Sequence, residues 1–278
     1  MDSLNGKVAV VTGAGSGIGE AISLELARGG ARVIVADIDE DAAARVAAAI
    51  TDSGGQAAAN RVDVSREEDI TRLVEDTAAA YGRLDYQFNN AGIAIGGDAR
   101  DLTLGHWRRV LDVDLYGVLY GTLAAYPIMA RQGFGHIVNT SSGAGLVPMP
   151  LNAPYCTAKH GVVGLSLSLR HEGADLGVKV SVVCPGFVRT KIFDSAVVVN
   201  MPREPTDRTP GRLKMMEAAQ AARVILDGVA RNRAVIAFPG YIRLAWRVSC
   251  LFPRLVDRTA PRQIREVRMY RTVGRGDA

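Results

Sequence analysis

The chain lacks several things that would have pointed elsewhere. No apolar run approaches the ~18 residues a membrane-spanning helix needs. There are no internal repeats and no low-complexity linker, so no solenoid or tethered modules are expected. Cysteines number three, Cys156, Cys184 and Cys250. Their scatter gives neither an even disulfide framework nor metal-ligand spacing. They read as reduced thiols, and no metal is expected. Met1–Lys7 leads straight into an apolar run, the pattern of a protein without a leader. A cytoplasmic location is the expectation.

Net charge is nearly absent from most of the chain. The net +4 conceals a division. Residues 240–278 carry nine arginines against three acids, a net +6, which leaves the rest at −2. The basic balance therefore belongs to the tail and says nothing about the main body. Nucleic-acid binding is not expected, because basic residues alone show only affinity for anions.

What is present is an alternation of short apolar runs and helical patterns. Val8–Val11 is a β-branched run that reads as a buried strand. Thr12-Gly13-Ala14-Gly15-Ser16-Gly17-Ile18-Gly19 follows it, and a helical pattern runs on to Arg28. A strand, a glycine-rich turn and a helix together form a phosphate cradle, with backbone N–H groups and the helix N-terminus facing the anion. A second strand, Arg32–Ala36, ends in Asp37, about 20 residues past the turn. An acid there accepts ribose hydroxyls and repels a 2′-phosphate. No basic side chain adjoins it in sequence; Ser16 and Ile38 stand at the neighbouring positions. NAD is therefore expected over NADP.

The chemistry is concentrated in Asn139–Lys159. Tyr155 and Lys159 are four apart, and Pro154 suits the first turn of a helix. Both side chains then share a helical face. A phenol, with a pKa of about 10, is a poor base at neutral pH. An adjacent ammonium favours its ionised form. Ser142 lies thirteen residues before Tyr155, after an apolar strand. Ser141 competes for its role.

Ser-x12-Tyr-x3-Lys together with Thr-Gly-x3-Gly-x-Gly resembles the short-chain dehydrogenase/reductase family. Further segments, in order, are similar to its other motifs: Asn89-Asn90-Ala91-Gly92 after a strand, and Pro185-Gly186 with Thr190 after another. The resemblance implies a single α/β domain over residues 1–239, a Rossmann-type, doubly wound parallel sheet of about seven strands. Residues 240–278 would be a basic amphipathic extension, not an independent domain.

The implied activity is reversible hydride transfer between NAD and a secondary alcohol or ketone. Tyr155 would be the general base, Lys159 its activator and ribose ligand, and Ser142 the orienter of the substrate oxygen. The implied cofactor site comprises Gly13, Ser16, Gly17, Ile18, Gly19, Asp37, Ile38, Asp63, Val64, Asn90, Ala91, Gly92, Tyr155, Lys159, Pro185, Gly186, Val188 and Thr190. The chain departs from the family at Asp114, in Val113-Asp114-Leu115. There the family has an asparagine holding a water that relays protons to the lysine. Asp114 could hold that water, and would raise the Lys159 pKa, or be kept neutral by burial.

Residues 191–214 stand where the family has its substrate lid. The lid's apolar residues, and the absence of an arginine pair in the walls, favour an apolar substrate. Ile95, Leu146, Asn152, Ile192 and Phe193 are the candidate wall residues. Two other activities stay open: reduction or oxidation of steroids or acyl thioesters, and a non-catalytic NAD-binding regulator or membrane-associated scaffold. The family implies a homodimer or homotetramer. In the tail, Arg243, Arg247, Arg254 and Arg258 share an arc, with Trp246, Val248, Phe252 and Leu255 on the remaining side. That pattern suits peripheral contact with an anionic membrane, or packing on a neighbouring subunit or over the active site.

Overall fold

Helices cover both faces of a seven-stranded parallel sheet in the order β11-β7-β6-β4-β1-β2-β3. The computed structural model describes residues 4–201 and 215–254, with 264, 265, 268 and 271 beyond them. The expected Pro202, Pro205, Pro210 and Gly211 of the lid, and Leu255, Arg258 and Pro261 of the tail, lie outside the described residues. The chain starts at the sheet centre with β1 (Val8–Thr12), then α1 (Gly17–Arg28) and β2 (Arg32–Asp37). α2 (Glu40–Asp52), β3 (Gln56–Arg61) and α3 (Glu67–Tyr81) complete that half. β4 (Tyr86–Asn89) then returns to the other side of β1. This reversal opens a crevice beyond the carboxyl ends of β1 and β4, the place where such sheets bind ligands.

The second half begins with a three-residue strand, β5 (Ile95–Gly97). α4 (Leu104–Leu111), α5 (Gly117–Gln132), β6 (Gly135–Thr140), α6 (Ala153–Glu172) and β7 (Val178–Pro185) follow. Beyond β7 come β8 (Val188–Arg189), α7 (Ile192–Ser195) and β9 (Val197–Val199). β10 (Met216–Glu217), α8 (Ala218–Ala230), β11 (Val235–Phe238) and α9 (Gly240–Leu251) complete the described elements. β5 and β9 pair in parallel as a separate two-stranded sheet, away from the main one.

Alternation alone sets which residues form the core. Central strands are covered on both sides and read as unbroken apolar runs; all five residues of β1 are buried. One face packs Ile22 and Leu26 of α1, Val46 and Ile50 of α2 and Ile225 of α8 against the sheet. The other packs Ile70 and Val74 of α3 with Ala125 and Met129 of α5. Each large aliphatic side chain buried this way stabilises the fold by roughly 1.5–3 kcal/mol. Among the described residues no helix is long and apolar enough to cross a membrane.

Two local features go beyond the sequence reading. The helical stretch from Thr103 to about Arg131 is present but not uniform. Between α4 and α5, Asp112–Tyr116 forms one wider, π-type turn. It turns Asp114 fully inward. It also seats Gly117 where an added Cβ would lie 3.0 Å from Val64. The second concerns the tail. Trp246 does not face outward: it packs with Ile242 on the core cluster that contains Val182 and Cys184. Val248 is half-buried as well.

Candidate active site

The glycine-rich turn has the shape a pyrophosphate requires. Gly13 and Gly17 adopt φ of +62° and +57°, a region costly for other residues. A Cβ on Gly19 would lie 2.2 Å from the Gly13 carbonyl oxygen. Thr12 fastens the turn to the next strand: its hydroxyl accepts the N–H groups of Asn90 and Ala91 at 3.0 and 3.2 Å. The Asn90 amide donates to the Thr12 and Gly13 carbonyls. Asn90-Ala91-Gly92 is thus built into the cradle. Thr12 opens the Thr-Gly-x3-Gly-x-Gly motif, and the structure adds its role as the fastener between the two segments.

Asp37 ends β2 beside this turn. Its Oδ2 accepts the Gly15 N–H at 2.8 Å and its Oδ1 the Asp39 N–H at 3.0 Å. The carboxylate is fixed where a ribose would meet it. Ile38 beside it is exposed, as a platform for an adenine would be. Asp63, half-buried past β3, accepts from both the N–H and the hydroxyl of Ser65, and Val64 beside it is buried. A cation that the sequence did not reveal also stands here. Arg45 of α2 donates to the Gly15 carbonyl at 2.8 Å and to both oxygens of Glu20. On the far side, Gly17 abuts Thr190, whose methyl would lie 2.9 Å from a Cβ there. The Pro185-Gly186 turn, buried Val188 and Thr190 therefore close over the cradle. α9 braces that turn from behind: the Tyr241 hydroxyl accepts the Phe187 N–H at 3.1 Å.

The catalytic candidates converge at the carboxyl ends of β4 and β6. α6 begins with Pro154 in its first turn and carries Tyr155 and Lys159 on one face. The Lys159 ammonium, 3% exposed, lies 5.5 Å from the Tyr155 ring centre. It donates to the Thr140 carbonyl at 3.2 Å. The Ser142 hydroxyl accepts the Ala144 N–H at 3.1 Å and lies close enough to the Tyr155 phenol to favour its ionised form. Ser141 is engaged elsewhere: buried, it donates to the Lys159 carbonyl at 2.8 Å. The two serines, ambiguous in sequence, are thereby separated.

Asp114 completes the cluster. Its Oδ1 accepts the Ile93 N–H at 2.8 Å, and its Oδ2 faces the Lys159 ammonium at 3.2 Å. Oδ2 has no well-aligned hydrogen-bond donor, so the contact is an ion pair rather than a hydrogen bond. Burial pushes the Asp114 pKa up, against the pull of Lys159 and the Ile93 N–H. Burial alone would lower Lys159, but Asp114 and Tyr155 outweigh it, and its pKa is raised. Burial raises Tyr155 too, more than Lys159 lowers it. The expected pull of the ammonium on the phenol is present, and burial outweighs it in the free site.

The proposed substrate residues separate into groups. Ile95 is buried in a cluster with Ile93, Leu102, Val197, Val199 and Tyr155. Asn152 adjoins the same strand, 3.0 Å from where a Gly96 Cβ would be. Ile192 and Phe193 lie on α7, with Phe193 exposed and its ring 6.1 Å from that of Phe187. Leu146 is not with them: it packs with Val118, Val162 and Val182 in the core under α6. Sequence reasoning also missed the buried polar ladder behind the site. Asn89 donates to Asn139 at 2.9 Å, and Asn139 to Ser166 at 3.1 Å.

Comparison with known proteins gives the same placement. The family model described as short chain dehydrogenase matches residues 7–198. Cyclohexanol dehydrogenase of Acinetobacter sp. (strain SE19) is 40% identical over 205 residues, 72% of this chain and 81% of that protein. The 2,5-dichloro-2,5-cyclohexadiene-1,4-diol dehydrogenase of Sphingobium indicum is 41% identical over 201 residues, 71% of this chain and 78% of that one. A crystal structure of a short-chain dehydrogenase/reductase from Burkholderia phymatum in complex with NAD superimposes with a TM-score of 0.82 at 32% identity, over 92% of this chain and 96% of that one. The chain belongs to the short-chain dehydrogenase/reductase family.

Proposed function

We propose that this enzyme transfers a hydride reversibly between NAD(H) and an apolar secondary alcohol or its ketone. The observation that carries the reading is Tyr155: it lies beside Ser142 and a buried Lys159 and packs against an apolar wall. The cradle of Gly13, Gly17 and Gly19, with no room for a Cβ, and the pre-set Asp37 carboxylate fit NAD. When bound, NAD supplies the hydride acceptor and a positively charged ring. Tyr155 takes the alcohol proton as general base. Ser142 donates to the substrate oxygen and stabilises charge developing there. Lys159 holds a positive charge beside the phenolate, kept in place by the Thr140 carbonyl and the Asp114 carboxylate. The wall of Ile95, Val197 and Val199 excludes water and offers no cation to an anionic substrate. The two relatives named for ring alcohols make cyclic secondary alcohols the first substrates to try.

Initial rates of NADH formation over a panel of cyclic, aliphatic and steroidal alcohols, with NADP alongside, test this. Tyr155→Phe should lose activity by about 10²–10⁴-fold and still bind NAD. NAD binding without turnover of any alcohol would sink the reading in favour of a regulator.

A homodimer or homotetramer through α5 fits the exposure of Tyr116 and Leu123 on that side. Light scattering of the purified protein checks it, and a monomer would refute it. Peripheral membrane contact is a secondary reading. Leu244, Leu251 and Phe252 are exposed, and Arg243 and Arg247 with them. Failure to sediment with anionic vesicles would remove it.

A further inference from the structure

The apolar wall beside Tyr155 hangs on the small sheet of β5 and β9, whose register is Ile95↔Val197 to Gly97↔Val199. The strands are parallel, so both end on the same side. β5 runs directly into Asp98, and β9 directly into Asn200, which takes a left-handed φ of 52°, a conformation asparagine tolerates. Asp98 has no exposed surface. Arg100 already answers its charge, donating Nε and Nη2 to the two carboxylate oxygens at 2.9 Å each.

A second guanidinium arrives nonetheless, from 170 residues away: Arg268 Nε donates to Asp98 Oδ2 at 2.6 Å. Arg271 repeats the arrangement on Asp101, donating Nε to Oδ2 at 2.7 Å and Nη2 to Oδ1. The Asn200 side chain lies close enough to the same Asp101 carboxylate to lower its pKa. The two arginines stand on one turn, closed by the Arg271 N–H to the Arg268 carbonyl at 3.2 Å. Asp98 thus has a local charge partner in Arg100 and needs no second cation, while Arg271 answers the charge of Asp101. Together the two distant arginines add a tether at the common end of both strands.

We propose that Arg268 and Arg271 are positioning residues of the substrate site: by clasping Asp98 and Asp101 they fasten β5 and β9 and hold the apolar wall against Tyr155. The clasp lies off the main sheet, so its release should loosen the wall and leave the fold and the NAD cradle intact. Its bearing on catalysis rests on the reading of the Tyr155 cleft as an alcohol site.

The test uses the full chain with Arg268→Gln, Arg271→Gln, the double variant and the charge exchange Asp101→Arg with Arg271→Asp. Amide hydrogen exchange gives a readout that needs no turnover. Gly97 and Val197–Val199 should exchange faster in the double variant, with β7 unchanged. In alcohol oxidation, the KM for the alcohol should rise about five- to tenfold, as the competent fraction of the wall falls. The KM for NAD should stay put, and the charge exchange should restore most of the loss. Unchanged exchange at β5 and β9 in the double variant would overturn the proposal. So would faster exchange throughout the molecule with a lowered melting temperature, which would mark a merely structural role. Faster exchange confined to the two strands, in a protein that oxidises no alcohol, would uphold the clasp and sink only the alcohol reading.

Discussion

Asparagine in place of Asp114 would remove one charge from the centre of the catalytic cluster and almost nothing else. The substitution is isosteric, and the amide oxygen can still accept the Ile93 N–H now held at 2.8 Å. Lys159 keeps the Thr140 carbonyl as an acceptor. The Asp114 oxygen lies 3.2 Å from the ammonium, and the ammonium 5.5 Å from the Tyr155 ring centre. The carboxylate is therefore at most about 9 Å from the phenol; at an effective dielectric of about 20 it opposes the phenolate by about 2 kcal/mol. Alcohol oxidation needs the phenolate, so its rate rises with pH as Tyr155 ionises. Removing a neighbouring anion eases that ionisation, and the rising limb moves to lower pH. On that limb the variant should run about tenfold faster in kcat/KM, allowing for part of the 2 kcal/mol to be lost in relaxation. The assay is kcat/KM for the alcohol against pH for both proteins, with melting temperatures to confirm folding. Superposable profiles would refute the reasoning, because Asp114 would then carry no charge that Tyr155 feels. A move to higher pH would refute it differently: Asp114 would serve chiefly to keep Lys159 protonated.

Three further outcomes follow from the geometry. Ser142→Ala should cut kcat by about 10²–10³-fold with little change in stability. Ser141→Ala should instead cost about 0.5–1.5 kcal/mol of stability by removing its hydrogen bond to the Lys159 carbonyl; equal kinetic losses in both variants would refute the division of labour. Asp37→Ser should lower the NAD-over-NADP ratio of kcat/KM about 100-fold, by ending a like-charge repulsion of several kcal/mol with Arg45 close by; an unchanged ratio would show that selectivity is set elsewhere. His136 is buried and hydrogen-bonded at 2.8 Å to Ser181, whose own proton goes to the Arg233 carbonyl. That network needs the neutral ring with a proton on Nε2. Burial, then Lys179 and Arg170, pull its pKa down from 6.5 to about 3. The unfolded chain therefore binds the proton first. Stability is full above pH 6.5 and is lost as pH falls from there toward 3, by roughly 4–5 kcal/mol. Denaturant titrations of His136→Gln should show a flatter loss across that window, and an identical slope would refute the assignment.

The parts of this protein that could be read from its sequence are those whose geometry is fixed by covalent spacing. Tyr155 and Lys159 meet because four residues of helix make one turn. Gly13, Gly17 and Gly19 bind because no side chain fits between a strand and the helix that follows it. The parts that could not be read are settled by neighbours distant in the chain. The π-type turn at Asp112–Tyr116 leaves the apolar period of α4 and α5 intact to the eye; it is decided by Gly117 on Val64 and by the burial of Asp114. β5 is Ile-Gly-Gly, too short and too rich in glycine for any strand signal, and it exists because Val197–Val199 pairs with it. Arg268 and Arg271 show nothing in sequence that links them to Asp98 and Asp101, 170 residues away. For Trp246 the sequence left membrane contact and packing both open, and its contact with the Val182 and Cys184 cluster favours packing. The division follows function. Proton and hydride transfer need atoms placed to within a fraction of an ångström, and local spacing supplies that. On the proposed reading, substrate choice rests on a wall assembled from β5, the loop before α6, β9 and the two arginines, and each can change without touching Ser142, Tyr155 or Lys159. Two proteins with the same three catalytic candidates would therefore be free to differ in the alcohols they accept, and the wall beside Tyr155 is where the test of this enzyme's substrate belongs.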